Sequence, residues 1–71
     1  MMTNELENFY REHLEENIIF CLSKRKGISF EEAMRLYYNS KLAQMIYNGV
    51  EGIQYLDFKV LTDYLEAEIW Q

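Results

Sequence analysis

The sequence predicts an all-α fold, a compact domain of three or four helices with short connections. Three observations predict it. Proline is absent, so no residue forces a helix to end. Apolar residues recur at helical spacing in each long segment. The glycines Gly27, Gly49 and Gly52 fall between those segments and divide the chain. At 71 residues, we expect a single domain over 1–71.

The first predicted helix runs from about Asn4 to Lys26. Asn4 is placed to cap its N-terminus, with Glu7 three residues later as in a capping box. Gly27 follows Lys26, at the position where a residue in the left-handed conformation commonly ends a helix. At 100° per residue we expect one broad apolar face, formed by Leu6, Phe9, Tyr10, Leu14, Ile18, Phe20 and Cys21. The opposite, solvated face is formed by Asn8, Glu12, Glu15 and Glu16. Ile19 falls outside the apolar face and is a candidate contact residue.

Two shorter helices are predicted in the middle of the chain. Ser29 and Glu32 have the spacing of a full capping box at the start of the second helix. If the second helix continued unbroken, Lys41 would lie on its apolar face. We therefore expect the helix to break near Asn39-Ser40, because Asn and Ser are favoured capping residues. A third helix then runs from about Lys41 to Tyr47 and ends at Asn48-Gly49.

The last part of the chain predicts a packed connection and a final helix. Residues 49–56 are too apolar for a freely solvated loop, and we expect them to pack against the helices and to include a short extended piece. Asp57 is placed to cap a helix from about Phe58 to Trp70. Its apolar face has helical spacing and comprises Phe58, Leu61, Leu65 and Ile69. Val60 and Tyr64 project to another side.

Charge and hydropathy disfavour two classes of partner. The formal net charge is −5, which disfavours duplex nucleic acid and anionic membrane surfaces. The longest apolar run, residues 18–22, is far shorter than the ~20 residues that span a bilayer. Residues 1–5 lack the pattern of a secretory signal, and Cys21 is a single thiol. We therefore expect a cytoplasmic protein with no membrane partner.

The sequence predicts no catalytic, cofactor or metal site. His13 is the single histidine, and Glu12 and Glu16 beside it are too few ligands for a metal centre. A nucleophilic cysteine needs a nearby base, but eight residues separate His13 from Cys21, about 12 Å along one helix. We expect Cys21 to be a buried structural thiol. Phosphate-binding loops and nucleophile elbows are absent, and we expect no enzyme activity.

A helix-turn-helix is the main nucleic-acid alternative. The segment 30–46 gives two short helices with a break between them. The second of these would offer Lys41, Gln44 and Asn48 to DNA, with one positive charge among them, whereas such motifs add phosphate contacts from Arg and Lys. A small DNA-associated regulator is therefore our second hypothesis.

The aromatic content favours an interaction protein. The chain has six Tyr, four Phe and one Trp, more than a core of this size readily buries. Tyr and Trp are enriched at binding hot spots, and exposed apolar patches mark interfaces. The candidate interaction patch comprises Ile19, Tyr38, Tyr47, Tyr55, Val60, Tyr64 and Trp70. We therefore favour an interaction module without catalysis. It would bind a protein partner or a second copy of itself, and in the latter case the protein would be a homodimer.

A resemblance points the same way. The run from Ile28 to Met34, then Leu36-Tyr37, Tyr55-Leu56 and the closing Asp63-Tyr64-Leu65, looks like small helical bacterial proteins of unknown function. Such proteins are sometimes encoded beside toxin–antitoxin-like genes. The resemblance implies no catalytic residues and favours a partner-binding accessory protein.

Overall fold

The protein is an all-α domain in which one long helix supports three shorter ones. The computed structural model describes the backbone of residues 2–70, and the side chains of those residues except 2–5, 7, 51 and 54. The helices are α1 (Met2–Lys26), α2 (Phe30–Tyr38), α3 (Lys41–Tyr47) and α4 (Phe58–Ile69), with a 3₁₀ helix over Val50–Tyr55. Residues 2–70 contain no β-strand.

Helix α1 begins at Met2, before the predicted start at Asn4. The predicted cap at Asn4 was wrong, because Asn4 lies inside α1, whereas a capping residue stands just outside the helix. The Glu7 side chain lies outside the described part of the chain. Gly27 adopts the predicted left-handed conformation, with φ of 64°. With 25 residues, α1 is about 37 Å long. That length matches the longest dimension of the molecule, 39 Å, so α1 spans the whole domain.

The core lies where α1 packs against α2 and α4. The fully buried side chains include Ile18 and Leu22 of α1, Tyr37 of α2, and Leu61 and Leu65 of α4. Around them pack further buried residues from α1, α2 and α3, namely Leu14, Ile19, Ala33, Leu42, Ala43 and Ile46.

The predicted apolar face of α1 was wrong for its largest members. Four of the seven side chains are exposed: Leu6, Phe9, Tyr10 and Phe20. Phe20 is two residues from both Ile18 and Leu22, about 200° around the helix, so it must point away when those two point inward. The other helices have 7–12 residues and cover α1 only in part. Cys21, expected to be buried, is half-buried.

Capping residues set the boundaries of the short helices as predicted. Ser29 accepts a hydrogen bond from the backbone N–H of Glu32 (3.0 Å). The predicted capping box is only half formed, because the Glu32 carboxylate pairs with Arg35 instead of accepting a hydrogen bond from the backbone N–H of Ser29. Asn39 ends α2, and the Ser40 side chain caps α3 through the N–H of Ala43 (3.1 Å).

The connection before α4 differs from the prediction. It forms a 3₁₀ helix and no extended piece. Ile53 packs against the core, whereas Val50, Tyr55 and Leu56 are exposed. The 3₁₀ helix leaves these three side chains on the outside.

Helix α4 follows the prediction closely. Asp57 caps it by accepting a hydrogen bond from the N–H of Lys59 (2.9 Å). The face with helical spacing is the one that packs on the core: Leu61 and Leu65 are fully buried, and Phe58 and Ile69 are partly buried.

Candidate functional site

Six of the seven residues predicted to form the interaction patch are exposed. The exposed fractions range from 38% for Val60 to 74% for Tyr55, and the others in this group are Tyr38, Tyr47, Tyr64 and Trp70. Ile19 is the exception and corrects the prediction, since only 2% of it is exposed. Ile19 packs into the core beside Ile18 and Leu22 because the buried face of α1 is rotated from the predicted one.

Tyr47 and Tyr55 line one open groove between α1, α3 and the 3₁₀ helix. The groove has a volume of about 450 Å³, and Leu6 and Tyr10 form its α1 side. The rings of Tyr10 and Tyr55 are 6.1 Å apart between centroids and tilted by 39°. Gly49 lines the same groove, and its left-handed backbone (φ 66°) turns the chain from α3 into the 3₁₀ helix that carries Tyr55.

A second groove, of about 290 Å³, adjoins the first along Tyr47 and Asn48. Its other lining residues are Glu15, Tyr38, Ala43 and Gln44. We call the two grooves together the tyrosine surface. Three residues of the predicted patch, Tyr38, Tyr47 and Tyr55, therefore lie on one continuous surface.

Glu15 is the member of the tyrosine surface that the sequence analysis missed. It was assigned to the solvated face of α1, yet only 8% of it is exposed. The Tyr37 hydroxyl donates a hydrogen bond to Glu15 Oε2 (2.7 Å). The spacing of Glu15 with Ile18, Ile19 and Leu22 is that of one helical stripe, and this was the signal available in the sequence.

The electrostatics beside Glu15 are negative. Burial, followed by the hydrogen bond to Glu15, raises the pKa of the Tyr37 hydroxyl. Burial also raises the pKa of Tyr38, and the negative charges of Glu15, Glu12 and Glu16 raise it further. Three carboxylates, those of Glu12, Glu15 and Glu16, therefore lie close enough to Tyr38 to act on its hydroxyl.

Arg11 is the cationic side chain that borders the tyrosine surface. Its guanidinium carbon is 4.9 Å from the centroid of the Tyr47 ring, within the range of a cation–π contact. Arg11 lines the larger groove with Tyr47. Its positive charge lowers the pKa of Tyr38, which opposes the effect of the neighbouring carboxylates. The larger groove thus has a positive edge, and the smaller groove has a negative one.

The α4 members of the predicted patch lie elsewhere. Val60, Tyr64 and Trp70 line neither groove of the tyrosine surface. The Nζ atom of Lys26 is 4.7 Å from the centroid of the Trp70 ring, so the Trp70 side chain is held against the end of α1. The structure therefore separates the predicted patch into a tyrosine surface and an α4 face.

His13 and the acidic side chains of the described residues do not gather into a metal-binding cluster. His13 is exposed, and its ring contacts that of Phe9 edge-on, with centroids 4.4 Å apart. Among the residues whose side chains the structure describes, His, Cys, Asp and Glu form no group of three or more that would hold a metal ion. Within the same residues, none of the helices has the length and apolar character needed to cross a membrane.

Comparison with protein-family models, with curated proteins and with solved structures gave no match to this chain. The resemblance to small helical bacterial proteins therefore stays a prediction.

Proposed function

We propose that the protein is an interaction module without catalysis, which binds a protein partner through the tyrosine surface. One observation carries the proposal: Tyr47 and Tyr55 line the same groove while 69% and 74% of them are exposed. The same chain buries Tyr37 completely, so its fold is able to enclose a tyrosine. An aromatic side chain removes about 150–250 Å² from water when covered, which favours covering both rings with a partner.

The chemistry of the surface suits protein recognition. Tyrosine combines a large rigid contact area with a polar hydroxyl, and such residues dominate binding hot spots. The groove between the two tyrosines is open and has Arg11 at its edge, a residue type also enriched at interfaces. The cytoplasm is part of the proposal, because Cys21 is the single thiol of the chain.

Affinity purification from the source cells tests the proposal with a matched pair of variants. The test variant is Tyr47→Ser with Tyr55→Ser, and the control is Tyr64→Ser, which changes an exposed tyrosine on the α4 face. We expect a partner that is recovered with wild type and control and lost with the test variant. Circular dichroism should show that all three fold. Equal recovery by all three proteins would overturn the proposal.

Self-association is a second candidate, favoured by the outer face of α1. Leu6, Phe9 and Phe20 are 69%, 61% and 55% exposed on a single helix. Light scattering after size exclusion at high micromolar concentration would give the mass of a dimer, and Phe9→Ser would return it to a monomer. A monomer for wild type under those conditions would rule out the homodimer.

The DNA-associated alternative also has a direct test. The amide N–H of Lys41 donates to a carboxylate oxygen of Glu68 (2.6 Å), which puts negative charge at the start of α3. Recognition helices contact DNA with their N-terminal residues, so this carboxylate is unfavourable for that role. Fluorescence anisotropy with mixed duplex DNA at low salt should show no binding, and a saturable signal would revive the alternative.

A further inference from the structure

We propose that the smaller groove of the tyrosine surface binds a cationic side chain of a protein partner, a lysine ammonium or an arginine guanidinium, over the carboxylate of Glu15. This inference rests on the proposed function and adds the chemistry of the partner. It depends on three features of the groove: an incompletely paired buried carboxylate, aromatic walls, and a size suited to one side chain.

The carboxylate of Glu15 has capacity for a further partner. Only 8% of the residue is exposed, and Tyr37 donates to Oε2 alone. No other described residue donates a hydrogen bond to Glu15 or forms an ion pair with it. An ionised carboxylate accepts about four hydrogen bonds, and a buried charge is costly unless it is paired. A donor that arrives from outside would therefore find an open acceptor of opposite charge.

The cations of this chain that form ion pairs do so away from Glu15. Arg25 and Lys26 pair with carboxylates of α4, and Arg35 pairs with Glu32 of its own helix. Arg11, one helical turn before Glu15, lies over the ring of Tyr47, which is a wall of this groove, and its charge also acts on Tyr37 and Tyr38. Arg11 is thus engaged by Tyr47, and Glu15, which lines the groove, forms no ion pair with a described residue.

The walls of the groove favour an organic cation. Tyr38 and Tyr47 line it, and 56% of Tyr38 is exposed, whereas the ring of Tyr47 already contacts Arg11. Aromatic rings attract ammonium and guanidinium groups through their quadrupoles. Glu12 and Glu16 add negative charge beside Tyr38. A bare divalent ion is less suited, because such ions take six or more oxygen ligands and the groove offers one carboxylate.

The groove is large enough for one side chain of a partner. Its volume of about 290 Å³ lies at the lower end of the ~300–1,000 Å³ range of pockets that enclose drug-sized ligands. Gln44 and Asn48 lie on its rim, where their amides can accept hydrogen bonds from the same cation.

Proton–nitrogen correlation NMR of the whole chain tests the site with two matched probes. The first probe is N-acetyl-lysine amide, and the second is N-acetyl-norleucine amide, which keeps the apolar stem without the charge. We expect the lysine probe to shift the amides of Glu15, Tyr38, Gln44 and Asn48, with a dissociation constant on the order of 1–10 mM, because one side chain makes few contacts. We expect the norleucine probe to cause no saturable shift.

Two variants and a control show whether Glu15 and the aromatic wall carry the binding. Glu15→Gln keeps an acceptor for the Tyr37 hydroxyl and removes the charge, so we expect lysine binding to weaken by roughly tenfold or more. Tyr38→Leu should weaken it by roughly threefold or more. Glu31→Gln removes an exposed charge outside the groove and should leave binding within about twofold of wild type.

The outcomes separate this inference from the proposed function. Equal shifts from both probes, shifts outside the groove, or unchanged lysine binding by Glu15→Gln would overturn the cation site. If Glu15→Gln loses the dispersed spectrum of a folded protein, lysine binding by Tyr38→Leu tests the cation site instead, and unchanged binding by that variant would overturn it. A partner whose recovery depends on Tyr47 and Tyr55 but not on Glu15 would leave the interaction module standing without a cation site.

Discussion

The hydroxyl of Tyr37 in α2 donates a 2.7 Å hydrogen bond to the carboxylate of Glu15 in α1, and both side chains are buried. The bond joins residues that are 22 positions apart in the chain. It provides the one hydrogen-bond donor that the described residues offer to the buried Glu15 carboxylate. The same bond fixes α2 against α1 next to the smaller groove of the tyrosine surface.

Tyr37→Phe should destabilise the protein by about 1–3 kcal/mol, because it leaves the Glu15 carboxylate buried without a donor. Urea unfolding followed by circular dichroism measures the change. Tyr38→Phe is the matched control, since Tyr38 is exposed, and it should stay within about 0.5 kcal/mol of wild type. Equal effects of the two substitutions would show that the bond contributes nothing to stability.

The protein should lose stability at alkaline pH in a way that depends on Tyr37. Burial and the hydrogen bond to Glu15 raise the pKa of its hydroxyl above the ordinary value of 10.0. The unfolded chain therefore loses this proton at a lower pH than the folded chain does. The associated stability is fully present below pH 10 and is lost as the pH rises further.

The Tyr37→Phe variant isolates this effect from the titration of lysines and other tyrosines. Above about pH 10, its free energy of unfolding should fall less steeply with pH than that of wild type. Urea midpoints at matched pH values give the comparison. Parallel slopes would mean that the folded protein does not hold the Tyr37 proton more tightly than the unfolded chain.

Arg25 should stabilise the packing of α1 on α4 by a small, salt-dependent amount. Its Nη1 atom is 2.6 Å from Asp63 and 3.2 Å from Glu66, and these contacts, with Asp63 first, raise its pKa. Because the side chain is one-third exposed, we expect Arg25→Met to cost only about 0.5–1 kcal/mol at low salt and less at 1 M salt. Lys24→Met removes a charge that forms no ion pair with a described residue, and is the control.

Ser40 should matter more to stability than Ser29, although both cap helices. Each side chain accepts one backbone N–H bond, but Ser40 is buried and Ser29 is exposed. Ser40→Ala leaves a buried N–H without its partner and should cost about 1–2 kcal/mol, whereas Ser29→Ala should cost about 0.5–1 kcal/mol. Thermal unfolding of the two variants gives the order, and the reverse order would contradict the burial argument.

The helix boundaries were predictable because they are set locally. Ser29, Ser40 and Asp57 cap their helices through N–H groups two or three residues away, and each was placed from the sequence. The buried face of α1 was not predictable in the same way. Its apolar residues occupy two sides, and only the positions of α2 and α4 determine which side is buried.

The candidate site was predictable only in part, for the same physical reason. The excess of tyrosines indicated an exposed aromatic surface, and Tyr38, Tyr47 and Tyr55 do lie on one. The place of Glu15 in the site depends on its hydrogen bond with Tyr37. The two residues are distant in sequence and come into contact only in the folded chain. Ile19 was misplaced because the apolar face of α1 was predicted to extend from Ile18 toward Phe20, whereas the buried face extends from Ile18 the other way, toward Ile19.

The carboxylate of Glu68, near the end of α4, accepts backbone N–H bonds from Lys41 and Leu42 (2.6 and 3.3 Å). The first turn of α3 is therefore held by a residue 26 or 27 positions further along the chain. When the last turn of α4 detaches, these two amides lose their acceptor, so we expect their exchange with solvent to follow the opening of that turn. Tyr47 is part of α3, and we expect a partner that covers it and holds α3 in place to slow the exchange of both amides.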